Sequence, residues 1–231
     1  MWVYFFTGHP DATRSVLARS GDGGVTFEPV YEVSADRLRT ISPVPGPAPE
    51  GSGFVGPGVY LFGSGAYRAS SPYLAFVPLD GVGDPDEIVY LGGTGEGAAR
   101  WVADEAAAEP LFEQPCLGEL SASWNEPLGR WLLLYNCDDP RGINLRSAPE
   151  PWGPWSEPVV VFDPWEDGGY CEFIHASWDD RRCDEVHDPG REGEWGGEYG
   201  PYVIDRFTTG ADGRSTIYFT NALSGKQHAG V

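Results

Sequence analysis

The amino-acid sequence predicts an all-β fold assembled from a repeated three-stranded unit. Three stretches each read as strand, loop, strand, tight turn and strand, and their second strands begin near Val16, Tyr73 and Ile143. A fourth copy begins at residues 215–223 (STIYFTNAL). Repeats of this length that are made of short strands are typical of β-propellers, in which every blade is a small antiparallel sheet.

Length and composition agree with one all-β domain over residues 1–231. The chain has 32 glycines and 21 prolines, which suits many turns. Residues 101–109 (WVADEAAAE) form the one convincing helical pattern, and Pro110 would end that helix. No apolar run approaches the roughly 18 residues of a membrane span, and the start, MWVYFFTGHP, lacks the features of a signal peptide.

The net charge of −20 argues against nucleic acid as a partner, because such proteins need a basic surface to displace counterions. The same charge disfavours binding to anionic membranes, whereas a negatively charged surface does not repel a neutral substrate. The chain also carries nine Trp, eleven Tyr and eleven Phe. Most of them should lie in the core, and exposed ones such as Trp124 could stack on the faces of a polysaccharide or oligosaccharide.

The cysteines leave two alternatives open. Cys116 and Cys137 are placed symmetrically about a predicted hairpin turn at residues 125–129 (NEPLG), which predicts adjacent strands with Cα atoms within about 7 Å, the reach of a disulfide. Free buried thiols are the alternative. Cys171 and Cys183 bracket a loop. The closely spaced CxxC pairs of a zinc site are absent, and we expect neither metal nor cofactor.

Each propeller blade should contain an innermost strand that lines the central channel. Candidates are residues 40–44 in the second unit, 117–123 (LGELSAS) in the third and 202–206 (YVIDR) in the fourth. The first unit opens directly on its second strand. The four units therefore hold about three, four, four and two strands, roughly three and a half blades, so the sequence predicts a propeller that is incomplete at both ends.

Two local motifs predict structure rather than chemistry. Residues 20–27 (SGDGGVTF) form an Asp-box, in which Asp22 accepts backbone N–H bonds across a hairpin turn and Phe27 packs beneath. Residues 148–158 (APEPWGPWSEP) form the equivalent turn of the third unit. The stretch with Gly93, Gly95 and Ala98 imitates a dinucleotide-binding fingerprint, but it stands among antiparallel strands and not in a parallel βαβ unit.

The candidate catalytic residues are Glu119 and Glu198. Glu119 lies near the start of an innermost strand, at the predicted channel mouth, and Glu198 comes just before the next such strand. Glycosidic cleavage needs one protonated carboxyl and one carboxylate, and burial among Gly, Trp and Tyr would raise the pKa of a glutamate. The alternative is that either glutamate merely bonds backbone or arginine across the channel.

Further residues are expected to shape a substrate pocket around these glutamates. The candidates are Arg68, Trp124, His175, Tyr199, Tyr202 and Arg206. A lone histidine such as His175 is also common as a hydrogen-bonded structural residue.

Several segments together resemble a bacterial five-bladed β-propeller family long described as a domain of unknown function, which includes endo-D-arabinanase glycoside hydrolases. They are residues 15–32, 60–80, 118–136, 148–165 and 196–208. The resemblance implies an exported enzyme that cleaves D-arabinofuranosyl linkages. It also implies that Glu119 of GELS, Arg68 of YRASSPYL, and Glu198 and Tyr202 of EYGPY surround the substrate cavity.

The sequence departs from that family at both ends. The resemblance implies a first blade with acidic residues before residue 2, and an S-T-W-N-P-Y-like segment where this chain reads NALSGKQHAGV. A second function class therefore stands beside the glycosidase: a carbohydrate-binding propeller without a complete pair of catalytic carboxylates.

Overall fold

The computed structural model describes residues 1–8, 13–95, 97–170, 174 and 197–224. These residues form an all-β fold with three main antiparallel sheets and two small two-stranded ones. The first sheet contains β1 (Trp2–Thr7), β2 (Arg14–Arg19) and β3 (Glu28–Ser34). The second contains β4 (Thr40–Pro47), β5 (Pro57–Ser64), β6 (Pro72–Pro78), β7 (Val89–Gly95) and β8 (Ala98–Val102).

The third sheet has the order β12-β11-β10-β9, so that β9 is an edge strand. Its strands are β9 (Leu120–Asn125), β10 (Arg130–Asp138), β11 (Arg141–Ala148) and β12 (Val159–Phe162). The small sheets pair β13 (Gly197–Tyr199) with β16 (Ala222–Ser224), and β14 (Thr209–Ala211) with β15 (Arg214–Thr216). Short 3₁₀ helices span Leu79–Gly81, Pro85–Glu87, Glu105–Ala107 and Asp205–Phe207.

The repeated unit is confirmed as three consecutive strands. β1-β2-β3, β5-β6-β7 and β10-β11-β12 are antiparallel in sequence order, and the predicted second strands are β2, β6 and β11. In the second and third sheets a further strand, β4 or β9, precedes the unit at the sheet edge. Among the described residues no sheet closes on itself.

The helix predicted at residues 101–109 is wrong. Trp101 lies in β8, where it pairs with Leu91 of β7, and the following segment forms only the 3₁₀ turn Glu105–Ala107, capped by the Asp104 side chain. Pairing with an existing sheet outweighs the modest helix propensity of a nine-residue segment, because short isolated helices are marginal in water. The antiparallel β7–β8 hairpin also confirms that the glycine-rich stretch is not a parallel dinucleotide-binding unit.

The three main sheets pack face to face through two hydrophobic layers. Side chains of one parity on β5, such as Tyr60 and Phe62, join Trp131 and Leu133 of the third sheet in one core. Leu61, of opposite parity, belongs to the core shared with the first sheet. Because successive side chains of a strand point to opposite faces, the second sheet is covered on both sides. This accounts for its long apolar runs.

The edge strands β4 and β9 meet between the second and third sheets. The Ser42 hydroxyl of β4 accepts a 3.0 Å hydrogen bond from the backbone N–H of Ala122 on β9. A side-chain acceptor thus replaces a ladder partner at this edge, which satisfies a backbone donor without fusing the two sheets.

The strand predicted at residues 202–206 is wrong in most of its length. Val203 makes a single antiparallel bridge with Phe219, and Asp205–Phe207 then forms a 3₁₀ turn. The β-structure of this fourth unit instead includes the short strands β13 to β16. Gly and Pro residues interrupt the strands of this unit, which limits continuous strand pairing.

The Asp-box lies at the β2–β3 hairpin, as predicted. The Asp22 carboxylate accepts hydrogen bonds from the backbone N–H groups of Val25 and Thr26 at 3.1 and 3.0 Å, and from the Thr26 hydroxyl at 2.7 Å. These bonds, first of all those from Thr26, hold the pKa of Asp22 well below its usual range. Phe27, expected beneath the turn, is 44% exposed, so its ring is only partly covered there.

Cys116 and Cys137 form a disulfide with Cα atoms 5.2 Å apart, which confirms their predicted proximity. The bond ties the segment before β9 to the end of β10. Cys171 and Cys183 lie outside the described residues. Within the described part of the chain, we find no helix with the length and apolar character needed to cross a membrane.

Candidate functional site

The candidate site lies where β9 begins and β10 ends. The ladder between these strands pairs Leu120 with Tyr135, and it extends one step further because the backbone N–H of Asn136 donates to the Glu119 carbonyl at 3.2 Å. Glu119 therefore lies opposite Asn136, together with Gly118, whose N–H donates to the Asn136 carbonyl at 3.0 Å. The antiparallel register thus brings a residue before β9 to the same end of the sheet as the carboxyl end of β10.

Glu119 is half-buried and surrounded by neutral hydrogen-bond donors. Its Oε2 atom accepts from Asn136 Nδ2 at 3.2 Å, from the Tyr67 hydroxyl at 3.4 Å and from the backbone N–H of Gly200 at 3.4 Å. Burial raises the pKa of Glu119 despite these bonds. Burial also raises the pKa of Tyr67 to about 12, so the phenol remains a donor at neutral pH. Burial thus shifts Glu119 towards the protonated form, whereas its hydrogen-bond donors and the charge of Arg68 favour the carboxylate.

Arg68 occupies the β5–β6 loop in a left-handed backbone conformation, with φ of 52°. Its backbone N–H donates to the carbonyl of Leu117 at 3.0 Å, which fixes the loop against the start of β9. Its guanidinium contacts the Asp138 carboxylate and lies 3.8 Å from Glu198 Oε1. A left-handed non-glycine residue is strained, and such strain is frequent where a side chain has to be aimed at a site.

Glu198 lies on β13 with no exposed side-chain surface. Its Oε2 atom is 3.3 Å from the Arg141 guanidinium, and its backbone carbonyl accepts from Asn136 Nδ2 at 2.9 Å. Its Oε1 atom is buried and has no hydrogen-bond partner among the described residues, although it faces Arg68 at ion-pair distance. The carboxylate is thus enclosed between two arginines and does not reach solvent.

Asp138, at the end of β10, is the exposed acid of this cluster and was not singled out from the sequence. Its side chain is 53% exposed, and its Oδ1 atom contacts Arg68 and lies 3.5 Å from Arg141. Arg141 further donates to the Tyr170 hydroxyl at 2.8 Å. Three carboxyl groups and two guanidinium groups therefore gather around Asn136.

Two tyrosines of the predicted pocket border the same cluster. Tyr199 stacks on Tyr67 with ring centroids 6.4 Å apart, and the Arg68 guanidinium lies 5.8 Å from the Tyr199 ring. Tyr202 is 47% exposed. Partial burial raises the pKa of Tyr202, and the negative charge of Glu119 adds to this effect. The Tyr202 hydroxyl therefore lies close enough to Glu119 to interact with it electrostatically.

The remaining predicted pocket residues are not brought to the cluster. Trp124 is five positions after Glu119, roughly 16 Å along the strand and on the other face. There it is 42% exposed and donates to Glu126 at 2.7 Å. Arg206 is exposed on a 3₁₀ turn, with its guanidinium over the Phe207 ring. His175 lies outside the described residues.

Sequence reasoning missed Tyr67, Asn136, Asp138 and Arg141. One available signal was the polar run after the apolar strand RWLLLY, since polar residues that follow a buried strand often mark a site. In the part of the chain that the structure describes, no group of three or more His, Cys, Asp or Glu residues could hold a metal ion.

A protein-family model matches nearly the whole chain. Residues 4–224 match the domain of unknown function DUF4185. A search among curated proteins found no match. The chain belongs to the DUF4185 family.

Proposed function

We propose that this member of the DUF4185 family is a glycoside hydrolase acting on arabinofuranosyl-containing polysaccharide, with Glu119 as its general acid. The observation that carries the proposal is the environment of Glu119. Its carboxyl group is half-buried, its pKa is raised by that burial, and its hydrogen-bonding neighbours Tyr67, Asn136 and Gly200 are neutral. A carboxylic acid that stays protonated is what a glycosidic leaving oxygen requires.

The hydrogen bonds to Glu119 also orient its proton. All three donors from neighbouring residues reach Oε2, and among the described residues no hydrogen bond from another residue reaches Oε1. In the protonated state the hydrogen is therefore best placed on Oε1. A positioned acid of this kind contributes about 10²- to 10⁴-fold to turnover.

A neutral saccharide suits the surroundings of this acid. The net charge of −20 disfavours anionic substrates, and the exposed ring of Tyr202 beside Glu119 offers an apolar face to a sugar. The arabinan specificity itself, and export from the cell, rest on the sequence resemblance. The same resemblance supports Arg68 and Tyr202 as residues of the substrate cavity.

We further infer that the three main sheets are consecutive blades of a five-bladed propeller. Two observations support this arrangement: each sheet packs face to face on the next, and the edge strands β4 and β9 adjoin one another. In a propeller, such innermost strands meet around the central channel, which is where Glu119 would then lie.

A non-catalytic carbohydrate-binding function is the second candidate, and the burial of Glu198 favours it. With no exposed surface and two arginine partners, Glu198 cannot touch a sugar in this conformation. If no other carboxylate assists Glu119, the site would bind saccharides without cleaving them. Calorimetric binding of arabino-oligosaccharides without release of reducing ends would support this candidate.

The proposal is tested by hydrolysis of arabinans, followed as release of reducing ends. We expect the unmodified protein to cleave, and Glu119→Gln to lower turnover by about 10²-fold or more with an unchanged melting temperature at acidic pH. Glu32→Gln is the matched control, because Glu32 is a half-exposed glutamate on the first sheet that forms an ion pair with Arg14, far along the chain from the site. Full activity of Glu119→Gln, or inactivity of the unmodified protein on every arabinan, would refute the proposal.

A further inference from the structure

We propose that Asp138 is the second catalytic carboxylate, acting as the general base that activates water, and that Glu198 is a positioning residue. This inference rests on the proposed glycosidase function and names the second carboxylate that acts together with Glu119. It assigns a role to the exposed acid of the cluster, which the sequence patterns did not single out.

The register of β9 and β10 sets the distance between the two acids. Asn136 is opposite Glu119, and Asp138 lies two residues further along the same strand and therefore on the same face. Such diagonal neighbours lie about 7–8 Å apart, with their Cβ atoms somewhat closer. Inverting glycosidases hold their two carboxyl groups about 6.5–9.5 Å apart, which leaves room for a water molecule on the far side of the sugar. A residue spacing of this size leaves room for the carboxyl separation of an inverting enzyme, and we propose inversion on that basis.

Exposure separates Asp138 from Glu198. The Asp138 side chain is 53% exposed, whereas that of Glu198 is 0% exposed. A general base must meet the attacking water, and only Asp138 is open to it. Both arginines contact Oδ1 of Asp138, and among the described residues no donor reaches Oδ2. This second oxygen is available to accept a proton.

Glu198 holds the two arginines that orient Asp138. Arg68 and Arg141 each contact one oxygen of Glu198 and share Oδ1 of Asp138. Without a buried anion, the side chains of these two arginines would be free to rotate, and they would not hold the exposed Asp138 carboxylate in one orientation. The buried glutamate supplies that fixed anion, so its removal should disturb Asp138 without removing a reacting group.

The reaction balances with these two groups and water. Glu119 donates its proton to the glycosidic oxygen as the bond between that oxygen and the anomeric carbon breaks. Water forms the new bond to the anomeric carbon from the opposite face and gives a proton to Asp138 Oδ2. The products are two sugar hydroxyl groups, and solvent returns the proton from Asp138 to Glu119.

Chemical rescue distinguishes a base from a structural residue. Asp138→Ala should lower turnover of an aryl arabinofuranoside by about 10²-fold or more. Sodium azide should restore turnover severalfold, because azide attacks the anomeric carbon without needing a base. The product should be the glycosyl azide of inverted configuration, identified by NMR. Glu198→Gln should also lose turnover, but azide should not restore it, because the Asp138 carboxylate still occupies the position that azide would take and repels the anion.

Each outcome bears on the assignment separately from the proposed function. An unmodified protein that cleaves while Asp138→Ala stays active, or is not rescued by azide, overturns the assignment of Asp138 and leaves the glycosidase proposal standing. Retention of configuration by the unmodified protein overturns it as well. If Asp138→Ala does not fold, the isosteric Asp138→Asn must lose turnover with its melting transition preserved. An unmodified protein that cleaves no arabinoside refutes the proposed function, and this assignment with it.

Discussion

The surroundings of Glu119 and Glu198 differ although both residues contact the same asparagine. Asn136 Nδ2 donates to the Glu119 carboxyl group and to the Glu198 backbone carbonyl. Around Glu119 the hydrogen-bonding neighbours are neutral, and burial raises its pKa. Around Glu198 two guanidinium groups lie within ion-pair distance. At Glu119 burial outweighs the lowering effect of the more distant Arg68 charge, whereas at Glu198 two guanidinium groups in ion-pair range produce a structural ion pair.

Local sequence therefore does not set the roles of these two glutamates. Both glutamates stand beside glycine and apolar residues in the chain. The two glutamates differ in the residues that contact them. Tyr67 and Gly200 donate to Glu119, whereas Arg68 and Arg141 lie within ion-pair distance of Glu198. Three predictions test how far this contrast holds.

The largest effect on stability is expected at Glu198. Glu198→Ala leaves two guanidinium groups without their buried partner, which should lower the free energy of unfolding by about 3–5 kcal/mol. Urea denaturation measures this loss. Glu32→Ala breaks an exposed pair on the first sheet and should cost no more than about 1 kcal/mol. Equal losses in the two variants would contradict the structural role of Glu198.

A smaller effect is expected from the disulfide on the Glu119 side of the site. Cys116→Ala together with Cys137→Ala opens a loop with a sequence separation of 21 residues and should lower the free energy of unfolding by about 3 kcal/mol. Gln114 Nε2 lies 3.3 Å from each sulfur, so the loss includes local packing. A variant as stable as the unmodified protein under non-reducing conditions would show that the bond does not brace β9.

The smallest effect is a dependence on pH at Glu119. Because its folded pKa is raised above the usual 4.5, the stability that Glu119 contributes is present below that value and is lost as the pH rises through the folded pKa. Glu119→Gln does not titrate. Relative to the unmodified protein it should therefore melt higher as the pH increases, with no gain in acid. A difference in melting temperature that is independent of pH would contradict a raised pKa.

Much of the fold was predictable because period-two patterns and turn residues are local signals. The three-strand repeat, the Asp-box hairpin and the proximity of Cys116 to Cys137 all follow from spacing along the chain. The segment after Trp101 was not predictable in this way. Its alanines favour helix, and only the neighbouring strand β7 decides that Trp101 enters a sheet.

The site was predictable in part, for a related reason. Glu119 and Glu198 stood out as acids beside strands, and the structure does bring them together. Asp138 and Arg141 did not stand out, because their importance comes from partners more than 50 residues away in the chain, Arg68 and Glu198. Exposure, which separates Asp138 from Glu198, depends on the packing of several loops and has no local signature.

Strand β9 joins the fourth unit through side chains rather than through a shared backbone ladder. Ser121 Oγ accepts from the Val203 N–H at 3.1 Å, Asn125 donates to Ser215 at 2.9 Å, and Glu119 accepts from Gly200. These alternate residues form a polar seam along one face of the strand.

A seam of isolated hydrogen bonds opens at a lower free energy than a continuous sheet. We therefore expect the contacts between β9 and residues 197–222 to open more readily than the third sheet unfolds, with the buried ion pairs of Glu198 as their strongest constraint. Since Gly200 is one of these residues, such a local opening would expose the acid to water and return its pKa towards the ordinary value. The seam thereby couples the acidity of Glu119 to the docking of the fourth unit.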